Sequence, residues 1–427
     1  MKNQTYLVLA VILEAACGSS EDVTNDAALV GAPVVDSAMV SDANVAVDLA
    51  LDLSSPLDLA IDVSPGVDMP TAVDTTPAMD TGSSHDASSE AALGSTDAAA
   101  AACNFQAFGT SPPTLLSQTG CFEPGKPILP IAAFFPYEVN SPLWSDGAEK
   151  TRFLLVPAGS LITVKDCDQT PELCLPIDQG GTAEDEGHFD LPVGSILIKT
   201  FSLQTKLIET RILVRLSTLR WKGFSYEWNE DVSEATLLSD YKDRTVGTQV
   251  WHFPSQVECL LCHTEAAGRS LGPTTRQLDR VAGGGDQLDR MVAAGLLATR
   301  PKALAPYPDP RKPGPVENRA RAYLQTNCSF CHRPGGSFGD MDMRYAASLL
   351  DTNLCDVPSA RGSGDPALPS VRVAPGNPAE SFLSFSMHDR TIYAMPRLSS
   401  NLVDPDGTSV VDQWISGIAS CPVAPLN

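Results

Sequence analysis

Two five-residue stretches, Cys259-Leu260-Leu261-Cys262-His263 and Cys328-Ser329-Phe330-Cys331-His332, place two thiols and an imidazole at one fixed spacing, C-x-x-C-H. Thiols three positions apart on a helical turn can each add to one vinyl group of the same porphyrin. The residue that follows then lies beneath the ring with an imidazole nitrogen aimed at iron. This spacing is the attachment signature of a c-type haem. A zinc half-site and a thioredoxin-like dithiol also use C-x-x-C, but zinc needs its pairs to cooperate and neither requires a His directly after each pair. The expected cofactors are two covalently bound haem c groups. Cys259, Cys262, Cys328 and Cys331 are the attachment points, and His263 and His332 the iron ligands.

Helices must present these turns. Glu317 to Asn327 reads as a helix running straight into the second motif, and Ser409 to Ile418 as a closing helix with Val410, Val411, Trp414, Ile415 and Ile418 on one face. Ser409 and Asp412 have capping-box spacing, with Asp in the usual Glu position. Between the helices lies Ala394-Met395-Pro396, on a loop where a thioether can reach the far side of iron, so Met395 is the expected sixth ligand of haem two. Its competitors are Met341, Met343 and Met387, and a core methionine is the plainer alternative. The first unit has no such Met-Pro. Met291, in an expected helix from Asp286 to Leu297, is one candidate for haem one, and His252 and His188 are others. An open sixth position is also allowed.

Six cysteines remain after the four haem thiols and Cys17 are set aside: Cys103, Cys121, Cys167, Cys174, Cys355 and Cys421. Proximity in sequence suggests the disulfides 103 with 121, 167 with 174 and 355 with 421, and such bonds belong to an exported protein. The N-terminus agrees. Lys2, the apolar run Tyr6 to Leu13 and the small residues Ala15-Ala16 have the layout of a signal peptide over residues 1–17. Cys17 after that pair suggests lipid acylation and an outer-membrane lipoprotein, although Glu14 stands where that pattern wants an apolar residue. A periplasmic protein without lipid is the alternative. A lipid at Cys17 is the only membrane attachment expected, since no stretch has the ~18 uninterrupted apolar residues of a spanning helix.

The formal charge of −23 is concentrated in residues 18–102, which hold fifteen Asp or Glu and no Lys or Arg, leaving −8 for the rest. That acidity makes nucleic acid an unsuitable partner. The same segment lacks Phe, Trp and Tyr and is rich in Ala, Asp, Ser, Val and Pro, so it reads as a disordered linker.

Residues 103–254 read as a β-rich domain, a sandwich or open barrel. Strands are expected at Arg152 to Val156, Ser160 to Val164, Ser195 to Phe201, Ile208 to Leu216 and Gly223 to Trp228. Trp144, Trp221 and Trp228 are expected as core or rim aromatics. The fold class is thus α+β and multidomain: the β-rich domain is followed by two mainly α-helical, cytochrome c-like haem units, at 255–315 and 316–427.

The second unit resembles class I cytochromes c in having a helix that leads into the motif and a last helix packed back across it. As a whole, residues 103–427 resemble a family of exported bacterial dihaem cytochromes with a β-rich N-terminal region. The resemblance rests on Tyr137-Glu138-Val139-Asn140-Ser141-Pro142-Leu143-Trp144-Ser145-Asp146-Gly147-Ala148-Glu149-Lys150, on Trp251-His252-Phe253-Pro254-Ser255, and on Cys331-His332-Arg333-Pro334-Gly335-Gly336. It implies haem binding and electron transfer, with redox partner proteins such as a dehydrogenase, a reductase or another cytochrome. The leading expectation is an electron carrier rather than an enzyme. The alternatives are a haem enzyme, a peroxidase or dehydrogenase subunit with an open first haem, and a surface binding protein that uses haem as a sensor.

Overall fold

The computed structural model describes residues 103–165, 187–362, 364–398 and 400–423. The expected signal peptide, Cys17, the acidic linker and the Cys167–Cys174 pair lie outside the described residues.

Period-two alternation builds the central sheet. After a short helix α1 (Phe105–Thr110), strands β1 (Phe135–Pro136), β2 (Glu149–Leu155), β3 (Ile196–Leu203), β4 (Lys206–Arg215), β5 (Trp221–Trp228) and β6 (Ala235–Leu237) form one antiparallel sheet. Each strand pairs with its neighbour in this series, an open meander. Along β3 to β5 the residues Ile196, Ile198, Ile212, Val214, Phe224, Tyr226 and Trp228 face one side, packed with Phe108 of α1, Leu116 and the Cys103–Cys121 disulfide. Leu154, Leu197, Leu213 and Trp221 face the other. Both faces are apolar, so both must be covered. The cover is irregular chain and helix, where a sandwich or barrel would have used more strands of its own sheet.

The second face is covered by the segment that carries the first motif. A hairpin of β7 (Lys242–Val246) and β8 (Gln249–Phe253) turns at Gly247, with Trp251 and Phe253 packed on Phe201 and Ile208. The chain then enters α2 (Gln256–Cys262), α3 (Thr275–Leu278) and α4 (Gln287–Ala293). Leu278, Leu288, Met291, Leu296 and Leu297 share one apolar cluster with the sheet residues Leu154, Leu197, Leu213 and Trp221. This stretch is therefore built on the sheet. The helix expected to run to Leu297 stops at Ala293, because Gly295 adopts φ +70° and turns the chain.

The second motif segment has a core to itself. In α5 (Val316–Asn327), Ala320, Tyr323 and Leu324 pack on Val410, Val411, Trp414 and Ile415 of α7 (Pro405–Gly417), with Leu383 and Met387 of α6 (Phe382–His388) between. The crossing is close. A Cβ on Gly407 would lie within about 2.5 Å of the Tyr323 ring, so only glycine fits. The helix expected from Ser409 begins four residues earlier, where Asp404 caps it by accepting from the Asp406 and Gly407 N–H groups and Pro405 fills the first position. Ser409 and Asp412 form no capping box. Asp412 instead accepts from Ser384 at 2.7 Å and lies 2.9 Å from His388 Nε2. The Cys355–Cys421 disulfide joins the end of this region to its middle. No helix among the described residues is long and apolar enough to cross a membrane.

Candidate cofactor site at the paired motifs

Ser255 opens α2 with a capping box: its side chain accepts from the Glu258 N–H, and the Glu258 carboxylate accepts from Ser255 N–H at 2.8 Å. Glu258 also lies 3.3 Å from His252 Nε2, which ties the helix start to β8. One turn later Cys259 rests on β5 at Gly223. A Cβ there would come to 2.9 Å from Cys259 Sγ, so the missing side chain is what lets the motif lie flat on the sheet. His263 ends the helix, its N–H donating to Cys259 O at 3.0 Å.

The His263 ring is oriented from behind. Its Nδ1 is hydrogen-bonded to the Arg269 carbonyl, which fixes the proton on Nδ1 and leaves Nε2 as a lone-pair donor. The turn that supplies this carbonyl has Gly268 at φ +72° and Arg269 at φ +56°. Desolvation, together with the nearby Lys199 and Arg211 charges, holds the His263 pKa at about 3, so the ring is neutral.

The second motif starts where α5 ends. Cys331 and His332 donate their N–H groups to Cys328 O at 3.1 and 3.0 Å, closing the turn. His332 is buried against Phe338, with ring centroids 5.7 Å apart, and its Nδ1 has no hydrogen-bond partner among the described residues. The two motifs meet. The Cys262 and Cys331 thiols lie within hydrogen-bonding reach of each other, and the Cys262 pKa is raised because its proton is held toward Cys331. Cys331 Sγ also lies 3.7 Å from Leu261 O, and the Arg333 guanidinium spans the two turns by donating to Ser329 O and Ala266 O. Desolvation pushes the Cys259 thiol up to about 11 and the Cys328 thiol to about 12.

Between the second sheet face and the motifs lies a cleft that is partly open to solvent. Cys259, Cys262 and His263 line it on one side and Leu197, Leu213, Lys199 and Arg211 on the sheet side; Phe330 and Pro396 border it too. His188 also faces it. That imidazole is buried, its Nε2 has no hydrogen-bond partner among the described residues, and desolvation lowers its pKa to about 3. A buried, unpartnered imidazole nitrogen costs free energy unless something occupies it.

The other expected donors are placed differently. Met291 is fully buried in the apolar cluster of α3 and α4, and it does not line the cleft. His252 lies outside the cleft as well, between Asp243 at 2.7 Å and Glu258 at 3.3 Å, with its ring stacked on Tyr241. Both were candidates for haem one, and neither lines the cleft: the Met291 thioether packs in the apolar cluster, and His252 is hydrogen-bonded to Asp243 through Nδ1, its buried Nε2 making no hydrogen bond among the described residues. Among the methionines of the second segment, Met341, Met343 and Met387 belong to its core. Met395 does not. It is half-buried on the loop before α7, with its N–H donating to Ser386 O at 2.9 Å.

The stretch from Tyr137 to Lys150 stitches these parts together. Asn140 N–H donates to Gln277 O at 3.0 Å and Ser141 Oγ to Ala322 O at 3.1 Å, while Trp144 N–H donates to Asn327 Oδ1 at 2.7 Å and its indole to Leu402 O at 3.1 Å. Trp144 is thus a rim residue, whereas Trp221 and Trp228 are core. Sequence reasoning missed the charged residues Lys199 and Arg211 on the inner sheet face. The available signal was a cation at an inward position of an otherwise apolar strand. Among the described residues no group of three or more His, Cys, Asp or Glu side chains converges as a metal site, so the paired thiols do not form the four-donor set that structural zinc takes. No protein-family model, curated protein or solved structure matches this chain.

Proposed function

We propose that this chain is a dihaem c-type cytochrome of the bacterial cell envelope that passes single electrons between redox partner proteins. The observation that carries the reading is the meeting of two complete C-x-x-C-H turns at Cys262 and Cys331. Haem c supplies a one-electron ferric–ferrous couple at each motif. Cys259 and Cys262 hold the first group and Cys328 and Cys331 the second. His263 offers Nε2 with its other nitrogen tied to the Arg269 carbonyl, the second-sphere arrangement that fixes a ligating imidazole. Leu197 and Leu213 provide an apolar wall on the sheet side of the first site.

His188 would be a further nitrogen donor to the first group, because its buried Nε2 is unpartnered among the described residues and it faces the same cleft as His263. Met395 is the candidate for the second. Two strong donors at each iron suit a carrier, since little rearranges on electron gain, whereas an enzyme acting on peroxide needs a vacant position. The disulfides Cys103–Cys121 and Cys355–Cys421 support export to an oxidising compartment. Acylation at Cys17 would add a lipid anchor. A helical, cytochrome c-like architecture for the two motif segments belongs to this proposal.

The test is expression with a c-type haem attachment system, followed by acidified acetone extraction. Two haems should stay on the polypeptide. Replacing Cys259 and Cys262 with Ala should remove one of them, and replacing Cys328 and Cys331 the other. Release of all haem into the solvent, or iron-free protein, overturns the reading. Rapid peroxide turnover with carbon monoxide bound at one haem would make the protein an enzyme instead.

A further inference from the structure

The second face of the sheet carries two adjacent rows of unlike character. Cross-strand register sets Leu154 opposite Leu197, Leu197 opposite Leu213 and Leu213 opposite Gly223, an apolar row that ends where Cys259 rests. Two residues along each strand, on the same face, Arg152 stands opposite Lys199, Lys199 opposite Arg211 and Arg211 opposite Ser225. Strands are spaced ~4.8 Å apart and rise ~3.4 Å per residue, so Lys199, two strands over and two residues along, lies about 12 Å from Gly223, and Arg152, three strands over, about 16 Å. This is about the breadth of a porphyrin. Arg152, Lys199 and Arg211 all line the cleft.

The row holds more positive charge than its surroundings neutralise. Arg211 makes a two-pronged pair with Glu209 at 2.8 and 2.9 Å, and Glu209 is further occupied by the Trp251 indole at 3.1 Å. Arg152 donates to the Lys150 carbonyl at 3.2 Å. Among the described residues the Lys199 ammonium makes no hydrogen bond and no ion pair. The other acids around the cleft are engaged: Glu138 with Arg280, Glu258 with Ser255 and His252, and Glu227 with Lys242 and Arg244. Desolvation and the flanking Arg152 and Arg211 charges lower the Lys199 pKa to about 7. Unpaired cations enclosed beside an apolar floor are costly, and the cost falls when an anion enters.

We propose that the row Arg152–Lys199–Arg211 is a carboxylate-binding site that receives the propionates of the haem anchored at Cys259 and Cys262. The proposal rests on the haem reading above and adds a task for the sheet. The strands supply the opposite charge for the far edge of a group whose near edge is fixed on α2. Neutralising those carboxylates favours the ferrous state, because an unpaired anion beside the iron stabilises the ferric charge.

The experiment uses the full chain loaded with haem, as wild type, Lys199→Gln, Lys199→Arg and Arg152→Gln. Each is titrated potentiometrically from acid to alkaline pH after its covalent haem is counted. Two haems should be present throughout. In Lys199→Gln one haem should lose about tenfold in its reduction equilibrium, about 59 mV for a one-electron couple, and its potential should turn pH-dependent at higher pH than in wild type. Lys199→Arg should restore both, and the shift should vanish when Cys259 and Cys262 are also replaced by Ala. If Lys199→Gln takes up no haem, Arg152→Gln decides by the same titration. Two haems with unmoved potentials and pH profiles overturn the carboxylate site and leave the haem reading standing. A wild-type chain with no covalent haem overturns both.

Discussion

Both carboxylate oxygens of Asp146 accept from the Asn401 backbone N–H, at 3.0 and 2.8 Å, and one accepts from Leu402 N–H at 3.0 Å. Asp146 is buried at the tip before β2 with φ +49°, and Asn401 follows the loop that carries Met395. One carboxylate thus fixes the end of a loop from the opposite half of the chain.

Asp146→Ala should loosen that loop while both motifs stay intact. Stability should fall by about 1–3 kcal/mol, the cost of stripping buried hydrogen bonds. In the haem-loaded protein the long-wavelength absorption band of methionine-ligated ferric haem should weaken, with the covalent haem count still two. A full band in the variant would show that Met395 is not the ligand or that Asp146 does not hold it.

Gly223→Val should block the first motif alone. The added Cβ meets Cys259 Sγ at 2.9 Å and Cys259 Cβ at 3.0 Å, and the Cys259 Cβ cannot retreat without moving α2. Mass spectrometry of the matured chain should find one haem, carried on the peptide with Cys328 and Cys331. Two haems at wild-type yield would mean that α2 does not rest on β5 when the thiols react.

His188 has two separable consequences. In the haem-loaded chain, His188→Ala should let carbon monoxide bind one ferrous haem that resists it in wild type. In the haem-free chain the signature is pH dependence. Burial lowers the His188 pKa from 6.5 to about 3, so its stabilising contribution is full above pH 6.5 and is lost as pH falls toward 3, where the folded chain must protonate a buried ring. Urea midpoints between pH 7 and pH 4 should therefore fall more steeply for wild type than for His188→Gln. Parallel slopes would place the ring in water.

The disulfide Cys355–Cys421 closes a loop of 66 residues, for which the chain-entropy model gives ~4 kcal/mol of stabilisation. In a Trp414→Phe background, replacing both cysteines with Ser should lower the unfolding midpoint of the α5–α7 core and leave the tryptophan signal of Trp221, Trp228 and Trp251 on the sheet nearly unchanged at the same urea concentration. A single transition shifted as a whole would show that the two cores unfold together.

The sequence disclosed what periodicity encodes. Alternation in Ile196, Ile198, Ile212 and Val214 revealed the long strands, and the 3.6-residue rhythm of Val410, Val411, Trp414 and Ile415 revealed α7. Spacing alone revealed both motifs and the two described disulfides. What stayed hidden depends on register across distant segments. Lys199 and Arg211 look like ordinary strand charges until pairing sets them side by side, and nothing near Asp146 announces Asn401, which lies 255 residues away. Met291 stayed open for the same reason: its helical phase fits a ligand or a core residue equally, and its packing against the sheet shows only in the folded chain. The start of α7 was misjudged because Asp404 and Pro405 outcompete Ser409 as a cap.

The seat of Cys259 on Gly223 also has a meaning in time. A thiol pressed against a strand, with its proton held firmly by desolvation, is a poor partner for chemistry brought from outside. If haem is joined there, the chain must offer that cysteine while α2 still stands away from the sheet. Biogenesis would then run in a set order, with the prosthetic group sealed in as the last surfaces close, and a chain that folded too early would have shut itself out of maturation.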